Sequence, residues 1–248
     1  MKKLYITLLL FSFFYFFPAF ALDFAIKPIR IYMNPQKNTA VFEIQSLTDK
    51  TIRIETEVKK WSQKKDGSFV LEDTEDMVVV PPFIKLEPRQ KQLVKLAYLG
   101  GYDSKVQGTY RLILKQLPEE LKFEEKPKSI KTVVQVVLHL SVPIFINPPG
   151  TELYYNLSFL PQNVSKKEVS LLVRNSGNAF SRILNVILIK GDKEIYRQKM
   201  ALYVLPQKEI VLTIKPPKDK DKKETEFQEI PDKIKIITED EKEFIINL

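Results

Sequence analysis

The stretch KTVVQVVLHLSVPIFIN, residues 131–147, decides how the rest of the chain is read. It is too rich in β-branched residues for a comfortable helix and predicts one long strand. Counting by twos puts Val134, Val136, Leu138, Leu140 and Val142 on one face. Val133, Gln135, Val137, His139 and Ser141 fall on the other, more mixed face. The strand ends at Asn147-Pro148-Pro149-Gly150, which can close one domain and pass the chain to a second. Whether the apolar face meets its own core or a guest is the functional question.

Upstream, short alternating segments are separated by turn residues. Strands are expected at residues 24–33 (FAIKPIRIYM), 39–45, 51–61, 77–84, 91–98 and 109–117. Pro28 marks the first as an edge strand or a switch between sheets. A charged loop, residues 118–129, then leads into the opening strand. Downstream, residues 153–160, 168–175, 181–190, 194–200, 209–214 and 233–246 repeat the style without repeating the sequence. Residues 215–229 form a charge run with Pro216 and Pro217, expected as a solvated loop. No segment has a convincing helical period. The expectation is all-β: two tandem immunoglobulin-like β-sandwiches at an angle with a cleft between them, residues 22–147 and 148–248.

Residues 1–21 are set apart. Lys2 and Lys3 precede an uncharged run, and Ala19-Phe20-Ala21 offers small residues at the two positions a signal peptidase reads. This predicts an exported protein cut after Ala21, a reading preferred to a retained anchor. With no cysteine, the exported chain folds without disulfides. The formal charge is +8, but 39 basic and 31 acidic residues alternate along the chain. Without stacking aromatics among clustered arginines, nucleic-acid binding is a poor fit.

The inventory for catalysis is thin. His139 is the one histidine, and it sits in a valine-rich strand. There is no thiol, no zinc-type ligand spacing, and no nucleophile-elbow, Walker or dinucleotide motif. A glycosidase would need an acidic pair facing a cleft, and nothing in the sequence selects one. Trp61 and the many Phe and Tyr sit where a sandwich needs bulk, so core is preferred to a carbohydrate platform. The reading is a binding protein, with no enzyme activity, cofactor, metal or small-molecule substrate.

At this point the residues resemble the PapD-like periplasmic chaperones of pilus assembly. IKPIRIYMN with Arg30 resembles the family's opening strand and its cleft arginine. VPPFIKLEP, residues 80–88, resembles its proline pair and L-x-P segment, and QLVKL, residues 92–96, stands for its Q-x-V-R-L strand. YRLILKQLP, residues 110–118, is similar to the strand that ends in a Pro-containing turn. Residues 134–148 resemble the family's donor strand, and the pattern S-V-P-I-F-I-N-P is similar to its archaic branch. LVRNSGN, residues 172–178, is a weaker likeness in the second half.

The resemblance implies a periplasmic chaperone that binds pilus subunits by donor-strand complementation and delivers them to an outer-membrane usher. Chaperone–pilin complementation is itself a standard example of strand addition. The implied donor side chains are Val134, Val136, Leu138 and Leu140. Arg30 is implied to clamp the subunit's C-terminal carboxylate. The family's second cation, a lysine, aligns with Pro143, which cannot bind an anion; Arg111 or Lys115 on the neighbouring strand are the alternatives. The free protein is expected as a monomer or a weak self-capping oligomer. The competing reading is a structural component of a surface fibre or secretion assembly built from the same sandwiches.

Overall fold

The computed structural model describes residues 22–102, 104–118, 136–218 and 225–248. In chain order the first half holds β1 (Phe24–Lys27), β2 (Ile31–Met33), β3 (Thr39–Ser46), β4 (Ile52–Gln63) and β5 (Phe69–Asp73). It continues with β6 (Met77–Val80), β7 (Phe83–Leu86), β8 (Lys91–Tyr98), β9 (Gly108–Leu117) and β10 (His139–Ile146). The second half holds β11 (Leu157–Val164), β12 (Val169–Asn175), β13 (Ser181–Lys190) and β14 (Lys193–Val204). It ends with β15 (Glu209–Ile214), β16 (Lys233–Thr238) and β17 (Glu243–Asn247). No helix occurs among the described residues.

Four sheets make two immunoglobulin-like sandwiches. The first stacks β1-β3-β8-β6 on β2-β10-β9-β4-β5, with β7 also pairing β4. The second stacks β11-β12-β15 on β14-β13-β16-β17. Alternation explains the packing. In β8 the inward set is Val94, Leu96 and Tyr98, and in β3 it is Phe42, Ile44 and Ser46. The apolar members of these sets meet Ile54, Leu112, Leu114 and Ile144 from the opposite sheet to form one core. The second core gathers Val169, Leu171, Val173, Val186, Leu188, Ile234 and Ile236.

Prolines decide where the first half changes sheets. Residues 24–33 divide into β1 in one sheet and β2 in the other, with Pro28 between them. Residues 77–84, expected as one strand, divide likewise. Pro81-Pro82 separates β6, which pairs β8, from β7, which pairs β4. A proline lacks the N–H that a ladder needs, so each proline site interrupts its ladder.

Four other expectations are corrected. Strand β5 was not anticipated; it pairs β4 from Gln63↔Phe69 to Lys59↔Asp73. Residues 233–246 are two strands, because the chain turns back through Glu241 at φ 64. The charge run is not wholly solvated: Phe227 is 5% exposed in the second core, and its N–H donates to Lys166 O at 2.7 Å. Finally, the strand read over residues 131–147 begins at His139. In its register Leu138 lies opposite Gln116, whose N–H donates to Leu138 O at 2.9 Å. Two residues earlier Val136 would face Pro118, which has no N–H to give, and the ladder stops. Residues 131–135 and the loop at 119–129 lie outside the described residues.

The turn Asn175-Ser176-Gly177-Asn178 is fixed by close approach. A Cβ on Gly177 would sit 2.4 Å from Tyr154 O.

Phe227→Ala should lower folding stability by about 3 kcal/mol, the usual cost of emptying a buried phenylalanine site. Urea denaturation measures it; an unchanged midpoint would mean that the segment does not belong to the core.

Candidate functional site

The cleft is built by a change of face in the sheet that carries β10. Even-numbered residues of β4, β9 and β10 (Ile54, Leu112, Val142, Ile144) point into their own core. The odd-numbered Trp61, Arg111, Pro143 and Phe145 are nevertheless also buried. They point the other way, and the second sandwich covers that end of the sheet. Trp61, Phe145, Tyr203 and Leu205 form a small core of their own with Phe180 packed against it. Phe145 stacks on Phe180 at 3.9 Å between ring centres, and Trp61 meets Tyr203 edge-on at 5.3 Å.

Polar groups fix this joint. The Gln63 side chain bridges the end of β14: Nε2 donates to Tyr203 O at 2.8 Å, and Oε1 accepts from Leu205 N at 2.9 Å. The tip of the β4–β5 hairpin continues the interaction, with Lys65 O accepting from Val211 N on edge strand β15 at 2.6 Å. Gln107 adds a third tie, donating through its N–H to Asn178 O at 2.9 Å and accepting from Phe180 N at 3.2 Å.

Arg30 sits at the mouth of the cleft, its side chain 19% exposed. Its terminal nitrogens form a fork on Glu239 of the second sandwich, Nη1 to Oε2 and Nη2 to Oε1, both at 2.9 Å. Nη1 also donates to Tyr32 Oη and Nη2 to Tyr203 Oη, each at 3.2 Å. Burial opposes the charge on Arg30. The Glu239 carboxylate, with the two hydroxyls, outweighs it and holds the guanidinium pKa above its usual value. Glu239 is correspondingly held below the usual carboxylate range, first by Arg30 and then, against burial, by Arg182. Arg182 Nη1 donates to Glu239 Oε1 at 2.9 Å.

Arg111 is the unusual member. It lies directly across the ladder from Pro143, so its side chain leaves the same face of the sheet one strand over. It is 6% exposed, with its guanidinium 3.9 Å from the Trp61 ring centre and 4.3 Å from that of Phe69. Its hydrogen bonds go to Ser141 O and Oγ at 3.3 and 3.4 Å, and its Nε is buried without a partner. Among the described residues no carboxylate pairs with it. Burial pulls its pKa down to about 10. Lys115, by contrast, is committed to Glu57 at 2.5 Å. Arg30, Arg111 and Arg182 all lie within 5.7 Å of the Tyr203 ring centre, and among the described residues Glu239 is the one carboxylate bonded to any of them.

The edge of β10 leads to this cluster. Asn147 N donates to Met33 O, and the parallel register is Ile144↔Ile31 to Ile146↔Met33. On the side away from β9, therefore, β2 pairs only the last three residues of β10. Successive residues of a strand point their N–H and C=O to opposite sides. Because Leu138 O faces β9, the groups of His139, Ser141 and Pro143 face the side that no other described strand pairs at these positions. Pro143 is thus placed where its missing N–H leaves the β9 ladder whole. Arg30, immediately before β2, stands where the empty part of the lane ends.

The expected donor residues fall as follows. Leu138 and Leu140 are partly buried and rest against the first core, and Val142 is inside it. Val136 is 81% exposed and precedes the strand. Val134 lies outside the described residues. Among the described residues no group of His, Asp or Glu could hold a metal.

A family model described as pili and flagellar-assembly chaperone, PapD N-terminal domain, matches residues 23–152. No curated protein matches. Solved structures of the same fold include the chaperone–tip adhesin complex CsuC–CsuE of the archaic Csu pili of Acinetobacter baumannii. That match has 17% identity, covers 91% of this chain and 97% of the other, and has a TM-score of 0.62. The Salmonella enterica SafA pilin–SafB chaperone complex matches at 16% identity, 93% and 98% coverage, and TM-score 0.59. The E. coli chaperone DraB matches at 17%, 91% and 96%, and 0.56. At such identities the likeness carries the fold.

Burying a cation without a counter-ion costs stability, so Arg111→Met should leave the free protein as stable as before or more so, by up to about 2 kcal/mol. Urea midpoints test this; a lowered midpoint would show that the stacking on Trp61 and Phe69 outweighs the cost of burial.

Proposed function

Because the chain belongs to the PapD family of pili and flagellar-assembly chaperones, we propose that it holds pilus subunits by lending them the open edge of β10. The observation that carries this reading is the half-filled lane: among the described residues, one side of β10 is paired by β2 at Ile144–Ile146 and unpaired from His139 to Pro143. A subunit strand laid in the open part adds to the sheet through the outward groups of His139, Ser141 and Pro143. If its C-terminal carboxylate lies at the Arg30 end, the guest strand runs parallel to β10.

Leu138 and Leu140 are the apolar donors, with Val136 and Val134 joining as the strand lengthens on a guest. Each well-buried side chain contributes roughly 1.5–3 kcal/mol before ordering costs. Register is set at the lane's end, since a slip of one residue turns the wrong face inward. Arg30 is one pole of the carboxylate clamp. Arg111, across the ladder from Pro143 and paired with no carboxylate among the described residues, is the second. The cleft is read as a binding site.

The protein acts in the periplasm after losing residues 1–21, with the junction between its two domains at Asn147-Pro148. Delivery to an outer-membrane usher is assigned to the outer face of β1-β3-β8-β6, where Val41, Val78, Val80 and Leu93 are exposed. An apolar surface of that kind marks an interaction site. Unloaded, the chain is a monomer, or a weak oligomer in which the open edge caps itself on a second copy.

Co-expression with a pilus subunit from the same source should yield a 1:1 complex by size exclusion with light scattering. Leu138→Glu and Leu140→Glu should each reduce complex recovery by at least about tenfold, the consequence of placing a charge in an apolar groove. Undiminished complexes with both variants would rule out β10 as the donor.

A further inference from the structure

Arg30 has no spare donors at its tip. A guanidinium carries five N–H groups. The four terminal ones are taken, two by the Glu239 fork and one each by Tyr32 and Tyr203. The fifth, on Nε, is buried and unbonded. A guest carboxylate can reach Arg30 in the same two-pronged geometry only by taking the place of a partner already there. The two hydroxyls are single neutral acceptors, whereas Glu239 already fills the fork that a carboxylate fits.

Glu239 is also placed to give way. It follows Thr238, the last residue of β16, its N–H donates to Arg182 O at 2.8 Å, and its side chain is shared with the Arg182 guanidinium. Losing Arg30 would leave it with a cation still in hydrogen-bond reach. Arg111 has no comparable internal partner among the described residues.

We infer that Glu239 is an internal stand-in for the guest's terminal carboxylate, seated on Arg30 while the cleft is empty and kept by Arg182 when a guest arrives. The inference rests on the proposed function and deepens it, by naming the residue that sets how tightly the clamp closes. Displacing Glu239 offsets part of what the guest carboxylate gains on Arg30, so Arg30 holds the guest less tightly than an unpaired arginine would. Arg111 supplies the uncompensated charge. The empty cleft also avoids leaving Arg30 buried without a counter-ion, and the loaded clamp stays reversible, as a carrier that must release its cargo requires.

The test is a competition. Wild-type and variant chains carrying different tags are co-expressed with the same pilus subunit, and the subunit recovered on each tag is compared. Glu239→Gln keeps the shape of the side chain but removes the competing charge, and should carry about five-fold more subunit than wild type, about 1 kcal/mol. Arg182→Met removes the alternative seat of Glu239 and should shift the ratio the other way, toward wild type. Thermal melts of both free variants check that each is folded. A Glu239→Gln ratio at or below one, while Arg30→Met loses subunit, would overturn the stand-in and make Glu239 a support that positions Arg30. An Arg30→Met chain that competes equally with wild type would instead remove Arg30 from the clamp, and the proposed anchor with it. Opposite shifts for Glu239→Gln and Arg182→Met are what a merely structural ion pair would not produce.

Discussion

Among the described residues, strand β10 has one neighbour along its whole length and a second along only its last three residues. That asymmetry organises the molecule. Open sheet edges invite pairing with other chains, and folded proteins usually cover, shorten or charge them. Here the open part is bounded on both sides. At one end the ladder to β9 stops where Pro118 cannot donate, and at the other β2 takes up the lane with Arg30 in front of it. Pro143 falls on an outward position, so it costs the β9 ladder nothing. A short, bounded edge beside a cationic cluster is what the proposed addition of a strand of defined end requires.

The second sandwich makes the cluster possible. The sheet's odd-numbered face would be solvated along its whole length without it. Gln63, Gln107 and the hairpin carbonyl of Lys65 bind backbone groups of the second sandwich directly. Trp61, Phe145, Phe180 and Tyr203 exclude water around them. Arg30 and Glu239, 209 residues apart in the chain, are thereby held in a fork. The hairpin also occupies one backbone donor on the edge of β15, Val211 N, through the Lys65 carbonyl.

Much of the fold was legible as period-two alternation. Strands β3, β8, β9 and β13 lie within a residue or so of where alternation and turn residues place them. Pro28 was readable as a sheet switch because a lone proline in an alternating run has few other meanings. The Pro81-Pro82 switch hid inside an apolar run, VVVPPFI, whose hydrophobicity masks a change of sheet. Strand β5, FVLED, gives little signal because it is a largely exposed edge. Phe227 was lost among charges, since a single buried aromatic has no period. The site was less legible for a physical reason: it is made by side chains brought together only by the tertiary fold. Arg30 came from family likeness, and Arg111 stood level with Lys115 until the register set it opposite Pro143. No local pattern pointed to Glu239, Arg182 or Tyr203.

Hydrogen exchange at two backbone amides addresses the open lane most directly. His139 and Ser141 point their N–H groups to the β2 side of β10, along the stretch that β2 does not reach, while Leu140 and Val142 are paired with β9. In the free protein His139 and Ser141 should exchange fast and their two neighbours slowly; on binding a pilus subunit, His139 and Ser141 should become protected. Equal exchange of these two amides with and without the subunit, in a complex shown to have formed, would contradict strand addition at β10.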